Sequence, residues 1–367
     1  MRVGTVTRGV SVCGLTRVAS VVGPAPRDVW DRLVASDPRS LPSQTPRWLD
    51  AICAVAGLED ASRLYETADG RLLVLPLVRR RLLGMALAEA SLPYGWGPGG
   101  LVADGGLVLP EDVRAVFADL RDHRAPRVTL RPSPATGRVW DAAVPATVVR
   151  RPHMAQTLDL GAAGFGEVWR TRFKPDTRNR VRRAERAGVL VERDDTGRLV
   201  PVFQELYQRS VARWARRDGQ PLAVARWRAA RREPGGKLPT VAAALGASCR
   251  LYLASVNGRP AAAIVVLLGT ASASYWRGAM DEQVVGRTYA NYLLHRTAIE
   301  DACAAGCRAY HMGDSAPGSQ LALFKSRFGA EERPYASYQL ERLPFASAAS
   351  AARGAVGGAL RRRRGRS

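Results

Sequence analysis

Hydrophobic and polar positions along this chain follow two periods. Helical spacing is read over residues 26–35, 46–55, 110–122, 198–217, 222–232, 289–305 and 318–328, where apolar residues recur three and four apart. Short apolar or alternating runs predict strands at 15–22, 126–131, 154–160, 308–312 and 335–342. Two dipeptides mark hairpins: Asp69-Gly70 separates SRLYETA from RLLVLPLVRR, and Asn257-Gly258 separates CRLYLASV from RPAAAIVVLLG. Both favour the left-handed turn that joins twisted strands. A further strand, LLGMALAEA, leads into the loop SLPYGWGPGGLVADGG, and Pro-rich turns occupy 132–152.

The two hairpins carry a repeat. Arg63-Leu64-Tyr65 precedes the first turn and Arg250-Leu251-Tyr252 the second, and each hairpin leads to a strand ending near an aromatic, glycine-bearing site, PYGWG or SYWRGAM. We read this as an internal duplication of one α/β unit. A chain of 367 residues is also long for a single compact domain. The expected division is a first unit over 1–160, a second over 161–345 and a disordered basic tail over 346–367, rich in Ala, Gly, Ser and Arg.

Residues 169–191, WRTRFKPDTRNRVRRAERAGVLV, read as an arginine-rich helix. Pro175 suits the first turn, Asp176 or Thr177 the cap, and Gly188 the stop. Val181, Ala184 and Gly188 form a narrow packing seam, and Arg178, Arg182 and Arg186 form a stripe beside it. Such a stripe is either a solvated face or a dock for phosphates and carboxylates, which the planar guanidinium grips in pairs.

Composition sharpens that choice. The net charge is +22 and the isoelectric point near 11, which favours polyanionic partners: nucleic acid, an anionic lipid surface or a phosphorylated carrier. The terminal RRRRGRS supplies only five of those charges. The five cysteines, Cys13, Cys53, Cys249, Cys303 and Cys307, are scattered and include no CxxC pair. No disulfide framework or metal site is expected, and a reducing cytoplasm is the expected location. No run of eighteen apolar residues predicts a membrane span, and the N-terminus is not read as a signal peptide.

The order of motifs resembles the Fem-like branch (FemABX peptidyltransferases) of the GNAT acyltransferase superfamily. LPSQTPRWLDA (41–51) resembles that branch's early segment, PYGWGPGG (93–100) its Tyr-Gly-Gly-Pro loop, and TRNRVRRAERAGV (177–189) its basic helix. NGRPAAAIVVL, the helix ending AAGC and LFKSRFG (323–329) resemble its closing segments, the last most specifically. The resemblance implies an α/β (α+β) fold of two tandem GNAT-like units, each a mixed central sheet flanked by helices. It implies an N-acyltransferase that forms amide bonds, using aminoacyl-tRNA as co-substrate and no tightly bound cofactor.

It also implies roles. Lys325, flanked by Leu323, Phe324 and Phe328, is expected at the acyl-donor site, where it stabilises the oxyanion formed when an amine attacks an ester. Arg327 points elsewhere. Asp314, just past a strand end, is expected to accept or orient the amine proton. His311 alternates to the other side of that strand and is read as structural. Tyr94, Trp96, Trp276, Tyr289, Asn291 and Phe324 are candidate substrate contacts, with Arg178, Arg182, Arg183 and Arg186 for phosphates. Coenzyme A-binding GNAT proteins carry a Gln/Arg-x-x-Gly-x-Gly/Ala turn. Gln283 to Thr288 starts in that way but ends in Thr, which weighs against acyl-CoA as donor without removing it. No Ser-His-Asp, Cys-His or paired-carboxylate order stands out, which favours direct transfer from an activated ester.

Three readings follow. The first is aminoacyl transfer to an amine of a cell-wall precursor or a small natural product, possible acceptors including phosphorylated or nucleotide-linked ones. The second is acyl-CoA-dependent N-acyl transfer. The third is a non-catalytic two-unit binding or scaffold protein drawn to nucleic acid or an anionic membrane by charge alone. In the first, the arginine helix is expected to line the cleft between the two units.

Overall fold

The computed structural model describes residues 18–122, 125–286 and 288–342; the expected tail at 346–367 lies outside them. The first half contains β1 (Val18–Val22), α1 (Arg27–Ser36), α2 (Pro46–Ala56), β2 (Glu59–Asp60), β3 (Arg63–Thr67), β4 (Leu72–Leu75), β5 (Val78–Leu82), β6 (Met85–Ala90), β7 (Val102–Ala103), α3 (Pro110–Arg121), β8 (Arg127–Leu130), α4 (Gly137–Ala143) and β9 (Val149–Asp159). The second contains α5 (Phe165–Thr171), α6 (Pro175–Arg186), β10 (Leu190–Asp194), α7 (Val200–Arg217), α8 (Leu222–Arg232), α9 (Lys237–Leu245), β11 (Cys249–Val256), β12 (Arg259–Leu268), β13 (Ser272–Met280), α10 (Glu282–Val285), α11 (Ala290–Ala304), β14 (Ala309–Asp314), α12 (Gln320–Ser326) and β15 (Glu331–Glu341).

The strands form a four-stranded sheet, β1-β3-β4-β7, and an eleven-stranded sheet, β10-β11-β12-β13-β14-β9-β15-β8-β6-β5-β2. The large sheet contains two parallel pairs, β6 with β8 and β13 with β14, and its other pairings are antiparallel. Each parallel pair is short and then splays. β13 and β14 pair only over Ser272–Ser274 and Ala309–His311; β6 and β8 pair only at Glu89–Ala90 and Val128–Thr129. The halves are joined by β9 and β15, antiparallel from Glu331 opposite Thr157 to Gln339 opposite Val149. β15 sits between β8 and β9, and β9 between β14 and β15. Each half thus borrows one strand from the other, so the two parallel pairs are held in one continuous sheet.

The core follows from side-chain alternation along β11 and β12. Leu251, Leu253, Ala263, Val265 and Leu267 face α2, α7 and α9, whereas Tyr252, Ala254, Ala262, Ile264 and Val266 face α6 and α11. Both sides are buried, which explains the near-continuous apolar run RPAAAIVVLLG. At α2, Pro46 sits in the first turn, Thr45 accepts from the Trp48 N–H, and Gly57 ends the helix at φ 59°.

Several expected elements differ. RLLVLPLVRR is two strands, not one: β4 and β5 flank Pro76 and belong to different sheets, because proline supplies no ladder N–H and bends the chain. The strand expected at 154–160 begins at Val149, and the Pro-rich stretch before it contains α4. α9 was not anticipated: KLPTVAAAL has a proline in its first turn and small residues without periodicity. α12 is shorter at both ends than 318–328, and Ser319 caps it by accepting from the Ala322 N–H.

Candidate active site

Where β13 and β14 part, one charged side chain is buried. Lys325 on α12 is 2% exposed, and its Nζ donates to the carbonyls of Gly313 and Asp314, each at 2.9 Å. Gly313 has φ 72°, and its carbonyl turns toward the amine where β14 breaks register with β9. Burial pushes the Lys325 pKa down to about 8, against the pull of Asp314. An ammonium has three protons. Two are held by carbonyls, so one remains for an oxygen brought into the splay. Around the lysine lie Phe324, Phe328, Tyr292 and His295, packed mostly edge-on against one another at centroid distances of 5.1 to 5.7 Å. His295 is buried, and burial, with Lys325 adding to it, holds its pKa down at about 3.

Asp314 turns its carboxylate away from this lysine. Arg131 donates to Oδ2 at 2.7 Å and the Tyr335 hydroxyl at 3.0 Å. His153 stands next to them, with Nδ1 3.5 Å from Asp314 Oδ2 and Nε2 2.9 Å from Ser337 Oγ. The sequence carried no sign of this Ser-His-Asp proximity, since the three residues lie on three strands. It lacks the geometry of a nucleophile relay: Asp314 is already engaged by two donors, and Ser337 is 9% exposed. His153, Asp314 and Tyr335 line a seam cavity of about 520 Å³ with Met154, Pro317 and Pro334. Asp314 is thus fixed by its neighbours, and its main-chain carbonyl in turn fixes Lys325. His311, expected to be structural, meets Thr157 Oγ1 at 3.1 Å.

On the α7 side of the sheet lies a second cavity, of about 500 Å³, lined by Phe203, Gln204, Tyr207, Glu233, Trp276 and Arg277 among others. Trp276 packs edge-on against Trp48 at 5.1 Å, and Trp48 against Trp96 at 5.5 Å. Lys237, 1% exposed, lies 4.3 Å from the Trp96 ring centroid and donates to Glu233 and to the Gly95 and Arg232 carbonyls. Arg277 grips the same Glu233 and also donates to the Gly95 carbonyl. The structure therefore divides the aromatic candidates. Trp276 lines the cavity, Trp96 is a buried support behind it, and Tyr94 is 80% exposed with Arg232 over its ring. Lys237 and Glu233 were not singled out from the sequence, because neither lies in a recognisable motif.

The arginine helix α6 packs on α11 of the second half. Its stripe does not act as one surface. Arg178 donates to the carbonyls of Trp169, Arg170 and Phe173 and so caps α5, while Arg182 and Arg186 are exposed. Val181 and Ala184 share the core with α11, and the arginines at its start are Arg180 and Arg183, over the Tyr289 ring at 5.4 and 4.9 Å. Arg180 and Arg327 both donate to the Tyr292 hydroxyl, at 2.8 and 2.7 Å. Tyr289 precedes α11 at φ 59°, an uncommon conformation for a tyrosine, and Asn291 Nδ2 lies 3.2 Å from Met280 Sδ.

The stretch before α11 is closed on itself. The N–H groups of Gln283, Val285, Gly286 and Thr288 bond to the Asp281 carboxylate and to the carbonyls of Asp281, Glu282 and Val285. Four amides that would have to turn outward to cradle a pyrophosphate are thus used internally, beside two acidic residues. Among the described residues no cluster of His, Cys, Asp and Glu could hold a metal ion, and no helix is long and apolar enough to cross a membrane.

Residues 171–321 match the family described as an acetyltransferase (GNAT) domain. No curated protein matches the sequence. Among solved structures, FemX aligns with a TM-score of 0.61 at 13% identity, over 86% of this chain and 96% of its own. A conserved protein of unknown function from Bacteroides thetaiotaomicron aligns at 0.50 and 10% identity, over 86% and 97%. A tandem GNAT protein from the clavulanic acid biosynthesis pathway gives 0.44 and 15%, over 81% and 94%.

Proposed function

We propose that this chain, an acyltransferase with the Fem-like, two-unit form of the GNAT fold, transfers an aminoacyl group from aminoacyl-tRNA to the amine of a cell-wall precursor or small natural product. The observation that carries the reading is Lys325: a buried cation at the β13–β14 splay, held by two carbonyls with one proton unassigned. In the proposed reaction the neutral amine attacks the ester carbonyl of the charged tRNA. The carbonyl oxygen takes up negative charge and is met by the Lys325 Nζ. Collapse of the tetrahedral species expels the ribose hydroxyl, which takes a proton as the amine nitrogen loses one. Asp314 keeps the lysine in place through its main-chain carbonyl. The donor enters from the side of α11 and α12, with Phe324, Tyr289 and Asn291 near its path. The acceptor occupies the cavity of Phe203, Tyr207, Trp276 and Glu233 on the opposite face.

The choice of tRNA over acyl-CoA is supported by the amides of Gln283, Val285, Gly286 and Thr288, which are bonded within the chain. It is further supported by Arg182 and Arg186, exposed on the same helix that packs on α11 and free to meet a phosphate backbone. The location is proposed to be cytoplasmic, where charged tRNA is found. The test supplies purified protein with charged tRNA or acetyl-CoA and a panel of amines, with and without ribonuclease. Amide product from charged tRNA that disappears after ribonuclease is the expected result. Product from acetyl-CoA, unaffected by ribonuclease, would replace this donor assignment.

A further inference from the structure

The β5–β6 hairpin ends in a surface that the fold does not need. Leu82 is 57% exposed, Leu83 89%, Met85 65% and Leu87 38%. Leu82 pairs with Met85 across the ladder, so the apolar residues are contiguous at the tip. The turn residues are Leu83 at φ 49° and Gly84 at φ 77°. Two successive positive φ values define the turn for which Asn-Gly is the favoured pair. Leucine here carries two penalties, a left-handed backbone and a bare apolar side chain. Among the described residues little offsets either, since Leu83 is the most exposed of the large hydrophobic residues there, at 89%.

The charges next to the tip along the chain have one sign. From Arg71 to Ala88 the chain contains no acidic residue, and Arg79, Arg80 and Arg81 lead directly into the tip. Arg79 pairs with Glu89 and Arg81 with Glu59. Arg80 is exposed and has no ion-pair partner among the described residues. An apolar tip behind a collar of arginines matches a surface that is negative outside and apolar a few ångströms deeper. The excess charge of +22 draws the molecule toward the same surface.

We propose that the β5–β6 hairpin inserts Leu82, Leu83 and Met85 into an anionic lipid bilayer, with Arg80 and Arg81 at the phosphate level, so that the enzyme works at a membrane surface. This proposal does not depend on the identity of the acyl donor. It is tested with the full chain and vesicles of phosphatidylcholine, with and without phosphatidylglycerol, by co-sedimentation at low and high salt. The Leu82→Asn, Leu83→Asn, Met85→Thr variant is compared with the wild type. Leu83→Asn alone creates Asn-Gly at the turn, so its melting temperature should hold or rise and lost binding is not lost folding.

The expected result is that the wild type stays on phosphatidylglycerol vesicles at about 0.5 M salt, where purely electrostatic binding is screened. The triple variant should bind roughly tenfold or more weakly, and Leu83→Asn alone should be intermediate. Arg80→Gln should reduce binding only at low salt. Equal release of wild type and triple variant by salt would overturn the proposal and leave charge alone as the attraction. So would a concentration-dependent dimer, abolished by the triple variant, in a protein that ignores vesicles; the tip would then be a contact with a second copy.

Discussion

The molecule contains the same device twice, a short parallel strand pair that splays, and uses it in opposite ways. In the first half the gap beyond β6 and β8 is stitched shut. The Ser91 N–H bonds the Thr129 carbonyl, Ser91 Oγ accepts from the Arg131 N–H, and the Gly99 N–H bonds the Arg131 carbonyl. Gly100 lies against the backbone of Pro132: a Cβ there would sit 2.7 Å from the Pro132 Cα. Gln44 and Ser43 hold the same loop from the other side through the carbonyls of Gly100, Leu101 and Pro98. In the second half the gap beyond β13 and β14 receives Lys325 instead. On the proposed reaction, the splayed pair alone does not make a reactive site. What differs is whether the loop after the first strand turns back into the gap or leaves it to a buried cation.

That contrast breaks most visibly at the lysine. Lys325→Met should slow amide formation by about 10²–10³-fold, the usual effect of removing one donor to an oxyanion, with substrate KM little changed. Thermal stability should fall modestly, because relief of the buried charge is offset by the carbonyls of Gly313 and Asp314 losing their donor. A melting curve alongside single-turnover kinetics separates the two effects. The reciprocal change, Gly100→Ala in the first gap, should destabilise by about 1–3 kcal/mol and leave kcat of the folded fraction unaltered. Loss of kcat in that variant, with the fold intact, would mean that the first gap takes part in the chemistry.

Smaller effects sharpen the account. Reversing both Arg182 and Arg186 to glutamate should weaken tRNA binding several-fold and flatten its salt dependence, whereas the same change at Arg178 should act through α5, by destabilising the protein. pH distinguishes the two buried groups of the second gap. Lys325, near pH 8 when folded, must be protonated to act, so activity is expected to fall as pH rises through about 8. His295 is held neutral to about pH 3 and His311 to about 4 by burial. The unfolded chain takes up those protons from about pH 6.5 downward. Stability should therefore fall as pH drops from about 6.5 toward 4, and His295→Phe should lessen the fall.

How much of this was legible follows from how local each feature is. Hairpins with Asp-Gly and Asn-Gly, the duplicated scheme and the lysine among LFKSRFG were readable because their signal lies within a few adjacent residues. The two ends of RLLVLPLVRR parted unexpectedly, although Pro76 was the available clue. The Lys237–Glu233–Arg277 latch and its three tryptophans were not readable as a unit. They come from α2, the loop at Gly95, the end of α8, α9 and β13, and only the fold brings them together. The arginine stripe shows the limit of periodicity: spacing by four put Arg178, Arg182 and Arg186 on one face, yet the neighbours decide their work. Arg178 serves α5, while Arg180, two residues on and so about half a turn off that stripe, meets Tyr292.

The central claim is that amide formation takes place in the second gap, on Lys325, with charged tRNA as donor. It is met most directly by following a labelled amino acid from tRNA to an amine in a single turnover, with wild type and Lys325→Met side by side. The account predicts ribonuclease-sensitive product from the wild type and at least about a hundredfold slower formation by the variant. Equal rates from the two proteins would contradict it.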